Sequence, residues 1–382
     1  MSTRTIDFLR ELVAIDSVNP SLVPGGAGEQ QIAEAIAGEL RASGVDVDLQ
    51  PVDPGRPNVV GVIEGRRAGP TLVLCGHLDT VGVAGMQAPF DPVIRDNRLY
   101  GRGAQDMKGG LAAIAGAARN LAASGGVAAG RVVIAGVCDE EDASRGAEAF
   151  VARAQTGADA VAVVAEPTDL RVGIAHKGFA WLRVTTTGRA AHGSRPREGL
   201  DAILRMGRLL ARLDEFDRRR QETAGHPLLG PASLHASFIE GGREWSTYPD
   251  CCDLRLERRT LPGEDLDEPI LEVTRIVESL VREDEEFAAS VDLIFARRAY
   301  ELRADHALVR RVREAAASAG VNDEVVGVSF WADSAVLGEA GVASVLFGPG
   351  GAGLHGIEEY VRLDDVLACE DALTKLARGL CG

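Results

Sequence analysis

Residues 71–79 read TLVLCGHLD, and the class of fold is most apparent from this segment. The apolar run over 71–75 is short and is followed by glycine, which is typical of a strand buried on both faces of a parallel sheet. In open α/β sheets, ligands bind at the carboxyl ends of the strands, so His77 lies where a ligand is expected. Asp79 can hold the second imidazole nitrogen and fix its tautomer, although a His-x-Asp pair is more often a structural hydrogen bond.

Four further apolar runs have the character of this strand, and helical stretches lie between them. The predicted strands are 58–63, 131–137, 160–165 and 343–347, all expected to be parallel. The predicted helices are 28–43, 108–123 and 144–153, besides an amphipathic helix at the N-terminus. Alternating strands and helices predict an α/β domain in which helices flank a mainly parallel sheet.

The pattern changes after Lys177. Residues 179–187, FAWLRVTTT, alternate between apolar and polar as a half-exposed strand does. The elements that follow are helices over 200–220 and 266–282 and strands over 233–242, 251–260 and 290–298. We therefore predict an α+β domain with an antiparallel sheet over residues 178–300. It is inserted into a catalytic domain formed by residues 1–177 and 301–382.

The formal net charge of −16 argues against two classes of partner. Nucleic acid requires a basic face, and an anionic membrane surface attracts basic segments. An anionic substrate remains compatible, since one arginine can reverse the field in a pocket. No apolar run reaches transmembrane length, the N-terminus lacks the apolar segment of a signal peptide, and no CxxC pair is present. We expect a cytoplasmic protein.

Asp106 lies in the glycine-rich stretch GRGAQDMKGG, residues 101–110. It directly precedes the alanine-rich helix predicted over 108–123, where the common role of an aspartate is to cap the helix. Capping does not require glycines on both sides of the aspartate. These glycines predict a backbone that packs closely around something small.

Acidic residues or a histidine follow three more of the predicted strands. The acids DEED, residues 139–142, repel one another, so they form either a solvated turn or the site of a divalent ion. Glu166 and His355 follow the strands 160–165 and 343–347, and each alone has the character of an ordinary loop residue. Together with His77 and Asp106, these residues converge on one edge of the sheet.

The converging side chains predict a metal centre. Histidines with several carboxylates are the ligands of hydrolytic zinc, cobalt or manganese. There are more ligands here than one ion needs, and one aspartate can bridge two ions about 3.5–4 Å apart. A nucleotide site is the poorer alternative, because the glycine spacing fits neither a P-loop nor a dinucleotide fingerprint.

These motifs resemble the M20 metallopeptidase family, which includes acetylornithine deacetylases, succinyl-diaminopimelate desuccinylases, aminoacylases and glutamate carboxypeptidases. The resemblance runs from the N-terminal helix to about Val361. It rests on the motifs GHLDT (76–80), GRGAQDMKGG (101–110), DEED (139–142), EPT (166–168), AAHGSRP (190–196), ERRTLPGE (257–264) and GPG…H…EYV (348–361).

The resemblance implies a role for each residue of the centre. Asp106 would bridge the two metals, followed by a cis peptide bond to Met107. Asp79 would support His77, and Glu140 would be the general base and acid. The remaining metal ligands would be His77 and Glu166 on one ion, and Glu141 and His355 on the other.

The resemblance also implies substrate-binding residues. His192 resembles the family's lid histidine, which in dimeric members reaches the partner's active site and stabilises the oxyanion. Arg259 aligns with an arginine that binds the substrate carboxylate, and the planar guanidinium group is well suited to a carboxylate. Because side chains alternate along a strand, the adjacent Arg258 is expected to point away from the site. Asp333 and Gly350 are further candidates for the substrate pocket. Asp333 would either bind a cationic group of the substrate or have a structural role. Ser246 stands where many members have a substrate-binding asparagine.

The sequence thus predicts a dinuclear metal-dependent hydrolase that cleaves the amide bond of a small N-acylated amino acid, as an acetylornithine deacetylase does. Two zinc ions are expected, with cobalt or manganese as alternatives, in a homodimer formed through the inserted lid domain. One alternative is a carboxypeptidase or dipeptidase that acts on short peptides. A non-catalytic binding protein on the same fold would require loss of Glu140 or of metal ligands, and all of these are present.

Overall fold

A computed structural model describes residues 3–153, 157 and 159–382. The chain divides into two compact units. The first comprises the chain up to Ile174, Leu302–Val326 and Ala332–Gly382, and the second comprises Ala175–Glu301 and Gly327–Trp331. The predicted insertion, residues 178–300, falls inside the second unit, and its role as a lid and dimerisation domain stays a prediction.

The helices and strands of the described residues are as follows. The helices are α1 (Thr3–Ala14), α2 (Gln30–Ala42), α3 (Gly109–Ala123), α4 (Arg145–Ala152), α5 (Ala202–Gln221), α6 (Glu268–Glu283), α7 (Ala307–Ser318), α8 (Ser334–Glu339) and α9 (Leu363–Cys381). The strands are β1 (Asp46–Asp53), β2 (Arg56–Glu64), β3 (Thr71–His77), β4 (Val93–Arg95), β5 (Arg98–Tyr100), β6 (Arg131–Val137), β7 (Ala160–Val164), β8 (Val172–His176), β9 (Gly178–Thr187), β10 (Ser233–Gly241), β11 (Cys251–Thr260), β12 (Ala288–Arg297), β13 (Tyr300–Glu301), β14 (Val325–Val328), β15 (Ala343–Leu346), β16 (Gly351–Ala352) and β17 (Tyr360–Arg362).

The first unit is built on a sheet with the strand order β1-β2-β6-β3-β7-β15-β8. Its centre is parallel, since β3 pairs in parallel with β6 and β7, and β7 with β15. The α/β fold predicted from the sequence is confirmed. A second, small sheet of order β16-β17-β5-β4 was not predicted, because its strands are only two or three residues long.

The prediction that residues 58–63 form a parallel strand is wrong. This segment lies in β2, which pairs antiparallel with both β1 and β6. A tight turn with Gly55 at φ 73° reverses the chain between β1 and β2. The apolar run indicates only that β2 is buried on both faces. Burial alone does not fix the direction of a strand.

Helix α3 occupies the centre of the first unit. Most of its residues are buried, among them every residue from Gly109 to Ala118, and it packs against α1, α9 and β3. Small alanine and glycine side chains suit a helix that is enclosed on most sides, because neighbouring elements can approach its backbone closely. The C-terminal helix α9, which covers it, was not predicted. Among the described residues, no helix has the length and apolarity needed to cross a membrane.

The second unit contains an antiparallel sheet of order β10-β11-β9-β12 and the helices α5 and α6. The predicted order of strand, helix, two strands, helix and strand is confirmed. Buried residues alternate with partly exposed ones along β9 and β11, as the sequence pattern indicated. The core between sheet and helices includes Leu182, Leu209, Leu254 and Val273.

Two helical glycines differ in what surrounds them and provide a matched test of this packing. A methyl group on Gly110 would collide with the backbone carbonyl oxygen of Ala165, whereas Gly38 in α2 has no atom within 4 Å of the same position. We expect Gly110→Ala to lower the free energy of unfolding by about 1–3 kcal/mol through overpacking. Gly38→Ala should raise it by about 0.4–1 kcal/mol, because the unfolded chain loses freedom. Equal effects in urea unfolding would contradict the packing described here.

Candidate metal centre

The five predicted ligands lie at one edge of the main sheet. His77 ends β3, Glu141 follows β6, Glu166 follows β7, and His355 lies in the segment after β15. Because these four strands are parallel neighbours, their carboxyl ends meet at the same edge. Asp106 reaches this edge from the turn Ala104–Lys108 that precedes α3, in which the backbone of Asp106 and Met107 is not helical.

Asp106 lies at the middle of the cluster. One of its carboxylate oxygens is 3.0 Å from Nε2 of His77, and the other is 3.3 Å from Nε2 of His355. The same nitrogen of His355 is 3.2 Å from Glu141 Oε2, and Nε2 of His77 is 3.9 Å from Glu166 Oε1. Ligand atoms of His77, Asp106 and Glu141 all lie within 4.8 Å of one another. The helix-capping interpretation of Asp106 is wrong, since no side chain caps α3. The peptide bond from Asp106 to Met107 is cis, as the family resemblance implied.

Two carboxylate oxygens test whether the cluster suits cations. Glu141 Oε1 and Glu166 Oε1 are buried and have no hydrogen-bond partner within the described part of the chain. A buried carboxylate without a partner is unfavourable, and divalent ions between these acids and the imidazoles would offset the cost. Imidazole nitrogens and carboxylate oxygens fit zinc, cobalt or manganese. The side chain of His77 is 1% exposed and that of His355 is 54% exposed, so the centre is open on the His355 side.

The electrostatics of the cluster follow from this crowding. Burial raises the pKa of both Glu140 and Glu166 well above the usual range. Hydrogen bonds to Asp106 and Glu141 raise the pKa of His355 to about 10. Burial alone would lower the pKa of His77, but the hydrogen bond to Asp106 and nearby acids raise it well above its ordinary value. These shifts favour the protonated form of both imidazoles in the metal-free protein.

The carboxylate of Asp79 does not hold His77 in the expected way. Nδ1 of His77 is 2.9 Å from the backbone carbonyl oxygen of Asp79 and 3.7 Å from its carboxylate. The carboxylate accepts hydrogen bonds from the backbone N–H groups of Glu140 and Glu141, each at 3.1 Å. The residue thus orients the imidazole through its main chain and the acidic loop through its side chain.

Glu359 is a functional residue to which the sequence assigned no role. It is 1% exposed and accepts hydrogen bonds from the backbone N–H groups of Gly103, Gln105 and Asp106 at 3.0, 2.9 and 3.1 Å. Arg102 donates to it at 2.7 Å. Glu359 therefore fixes the turn that presents Asp106. The only signal in the sequence was its place in the EYV motif, because its partners are backbone groups 253 to 256 residues away.

The glycines around Asp106 pack against the protein itself. A methyl group on Gly103 would meet Thr80 and Lys108 at 2.7 and 2.9 Å, and one on Gly109 would meet the carbonyl oxygen of Ala104 at 2.9 Å. The expectation of close backbone packing is correct, but at these glycines the neighbours are protein atoms rather than a small ligand.

The other pocket candidates of the first unit are Asp333 and Gly350. Asp333 is 1% exposed. Burial is the main cause of the raised pKa of Glu140 and Glu166, and the negative charge of Asp333 raises both pKa values further. Gly350 leaves no room for a side chain beside Arg362, and its backbone N–H and carbonyl bond to Asp365 and to the N–H of Arg362. A substrate contact by either residue stays a prediction.

The remaining candidates lie in the second unit. His192 is exposed, and its Nδ1 accepts a hydrogen bond from the N–H of Ser194 at 3.2 Å. Arg258 is buried between Glu264 and Glu272, whereas the side chain of Arg259 is 30% exposed. The two arginines lie on opposite faces of β11, as strand alternation predicted.

Comparisons with known proteins identify the family and the fold of the chain. The sequence matches the profile of Peptidase family M20/M25/M40 over residues 73–379. An acetylornithine deacetylase of Myxococcus xanthus is 31% identical over 390 aligned positions, which cover 98% of this chain and 97% of that protein. Two solved structures share the fold. A tripeptidase from Staphylococcus aureus has a TM-score of 0.83 at 19% identity, covering 99% of this chain and 98% of its own. A dinuclear metal-binding peptidase from Bacillus subtilis has a TM-score of 0.76 at 16% identity, with coverage of 99% and 98%.

The raised pKa values of the two imidazoles predict that zinc binding releases protons. Zinc takes neutral imidazole, so protons held by His77 and His355 at pH 7 must leave, and zinc affinity must rise with pH. Calorimetric zinc titration at pH 7, in two buffers that differ in ionisation enthalpy, should report a net release of protons. His235→Ala, which alters an exposed histidine, is the control and should release the same number. Zinc binding without proton release would contradict the imidazole protonation.

Proposed function

We propose that this chain, which belongs to peptidase family M20/M25/M40, uses two divalent metal ions to deacylate small N-acylated amino acids. Membership of the family makes it a hydrolase of C–N bonds. The observation that carries the proposal is the position of Asp106, whose two carboxylate oxygens face His77 and His355 separately. A carboxylate with one imidazole at each oxygen is the arrangement of a ligand shared between two ions. Zinc is the proposed metal, with cobalt and manganese as alternatives.

The ligand sets of the two ions follow from the distances around Asp106. His77 and Glu166 would hold one ion, and Glu141 and His355 the other. The buried, unpartnered oxygens of Glu141 and Glu166 supply the charge that such ions require. When bound, a pair of divalent ions acidifies a water molecule toward a pKa of about 7 and polarises the substrate carbonyl.

Glu140 is the proposed general base and acid. It lies three residues after the end of β6, its backbone N–H donates to Asp79, and burial raises its pKa well above the usual range. A carboxyl group with a raised pKa can take the proton of the attacking water and return it to the leaving amine. Metal ligation by the neighbouring Glu141 leaves Glu140 free for this transfer.

His192 is the proposed donor to the oxyanion. Nδ1 of His192 lies 2.8 Å from the hydroxyl oxygen of Ser194 and 3.2 Å from its backbone nitrogen, and we assign the ring proton to Nε2. An exposed Nε2–H is available as a hydrogen-bond donor to developing negative charge. We further propose that the chain forms a homodimer through the second unit, in which this histidine serves the partner's centre.

The proposed substrate is an N-acyl amino acid with a free carboxylate, such as N-acetylornithine. The acetylornithine deacetylase of Myxococcus xanthus, 31% identical along nearly the full chain, supports this class. The guanidinium of Arg259 pairs through Nε with Glu257 at 2.6 Å, and its remaining N–H groups would suit the carboxylate, while the buried Asp333 would suit a cationic group on the amino acid.

A panel of N-acetyl amino acids, N-succinyl amino acids, dipeptides and tripeptides, assayed with zinc or cobalt by amine release, tests the proposed substrate class. We expect the largest kcat/KM for an N-acetyl amino acid. A larger value for a dipeptide or tripeptide would replace the deacylase proposal with the peptidase alternative. The metal centre would stand in either case.

The role of Glu140 predicts a variant that binds metal but does not turn over. Glu140→Gln keeps the volume of the side chain and removes its basicity, so kcat should fall by about 10²–10⁴-fold while the zinc content stays at the wild-type value. The control is Glu64→Gln, at an exposed position at the end of β2. Normal turnover by Glu140→Gln would show that another group accepts the proton.

A further inference from the structure

Three successive backbone N–H groups in the loop over residues 139–141 donate to two buried carboxylates. The N–H of Asp139 donates to Glu29 Oε1 at 3.2 Å. The N–H groups of Glu140 and Glu141 donate to the two oxygens of Asp79, each at 3.1 Å. Asp139 has a left-handed φ of 70°, a conformation that is rare for a residue with a side chain and that these contacts help to maintain.

Glu29 takes part in this loop through a buried ion pair with Arg56. Nη2 and Nε of Arg56 lie 2.6 and 2.8 Å from the two oxygens of Glu29. Glu29 is 0% exposed and Arg56 is 5% exposed. Nη2 of Arg56 is also 2.8 Å from Oδ1 of Asp139. The pair therefore holds Asp139 by its backbone N–H and by its side chain.

Asn19 joins the two carboxylates that hold the loop. Its Nδ2 donates to Asp79 Oδ2 at 2.8 Å and lies 3.2 Å from Asp139 Oδ1. Its backbone N–H donates to the carbonyl oxygen of Thr80 at 2.9 Å, which anchors it to the segment after β3. Glu29, Arg56, Asp139, Asn19 and Asp79 thus form one connected hydrogen-bond network behind the metal centre.

The network concentrates negative charge around a single enclosed cation. Three of its members are carboxylates whose side chains are 0 to 1% exposed. Arg56 is the cation enclosed among them, while Arg145, which also reaches Asp139, has a side chain that is 46% exposed. A buried charge that loses its partner is strongly unfavourable, so the loop and the pair constrain each other.

We propose that Glu29 and Arg56 are positioning residues of the metal centre. By fixing the backbone at Asp139, the pair directs the side chain of Glu141 toward the metal ion that it would bind. It likewise directs the side chain of Glu140 toward the water molecule that would attack the substrate. Neither residue is among the proposed metal ligands. The inference rests on the proposed function, because it assigns the pair to a centre that binds two cations. Outer partners of this kind typically change metal affinity or activity by about 10–100-fold when removed.

A buried ion pair that only stabilises the fold is the alternative, and the chain contains a matched control for it. Glu370 is 5% exposed and accepts hydrogen bonds from Thr5 at 2.7 Å and Asn120 at 2.8 Å, with Arg119 at 3.4 Å. It lies in α9, and none of these partners is a proposed ligand or a residue of the 139–141 loop. Its loss should affect stability without affecting the loop.

The test compares Glu29→Ala with Glu370→Ala by two measurements. The first is amide hydrogen exchange of residues 138–142 in the metal-free full-length chain. The second is Zn²⁺ titration of that chain, followed by kcat and KM on the best substrate of the panel. For Glu29→Ala we expect faster exchange in this segment, a Kd for one of the two zinc ions that is about 10–100-fold larger, and a lower kcat with KM nearly unchanged.

Glu29→Gln, which keeps an acceptor for the N–H of Asp139, should show smaller changes in exchange, zinc affinity and kcat. Glu370→Ala should lower the Tm and leave the exchange, both zinc constants and kcat at wild-type values.

Two further outcomes separate the failure of this inference from the failure of the proposed function. Wild-type exchange and zinc constants in Glu29→Ala would overturn the positioning role. If the wild-type chain bound no zinc, the proposed function would fail, and the exchange comparison would still decide whether Glu29 holds the loop. Should Glu29→Ala not fold, the double variant Glu29→Met with Arg56→Met removes both charges together and serves in its place, with the same expected losses.

Discussion

Mutual repulsion among buried acids is the constraint on which this structure depends. Asp106, Glu140, Glu141 and Glu166 meet at one edge of a sheet, and the imidazoles of His77 and His355 are the cations placed among them. In a low-dielectric site such a set is unfavourable unless protons or metal ions compensate for it. The raised pKa of His355 favours compensation by protons, and the unpartnered oxygens of Glu141 and Glu166 suit compensation by metal ions. On the proposed function, metal binding and its dependence on pH are expected to follow from the exchange between these two states.

The protein holds the repelling acids in place by their backbones. Glu359 accepts the N–H groups of the turn before Asp106, and Asp79 accepts those of Glu140 and Glu141. In both cases a buried carboxylate orients a loop without contacting the side chain that the loop presents. This leaves the oxygens and imidazoles of the centre free for ions. Close contacts at Gly103, Gly109 and Gly110 keep the turn and α3 in register with the sheet edge.

Local sequence rules predicted the main sheet, several of its helices and the convergence of His77, Asp106, the acids 139–142, Glu166 and His355 at one sheet edge, since strand ends and helix starts are encoded by neighbouring residues. The assignment of Glu141 as a ligand came from the family resemblance. The local rules failed where direction or partner is set over a long range. The apolar residues 58–63 indicated burial but not the antiparallel course of β2, which the turn at Gly55 imposes. The roles of Glu359, Glu29 and Arg56 were missed because their partners are backbone groups or side chains far away in the chain. The short strands of the small sheet carry too few residues to show a period.

The central claim is that two cations share Asp106. Anomalous X-ray diffraction at the zinc absorption edge, from crystals of the full chain grown with zinc, tests it most directly. Two peaks about 3.5–4 Å apart are expected, one near His77 and Glu166 and the other near Glu141 and His355, with an oxygen of Asp106 on each. A single peak, or peaks that do not involve Asp106, would contradict the dinuclear centre.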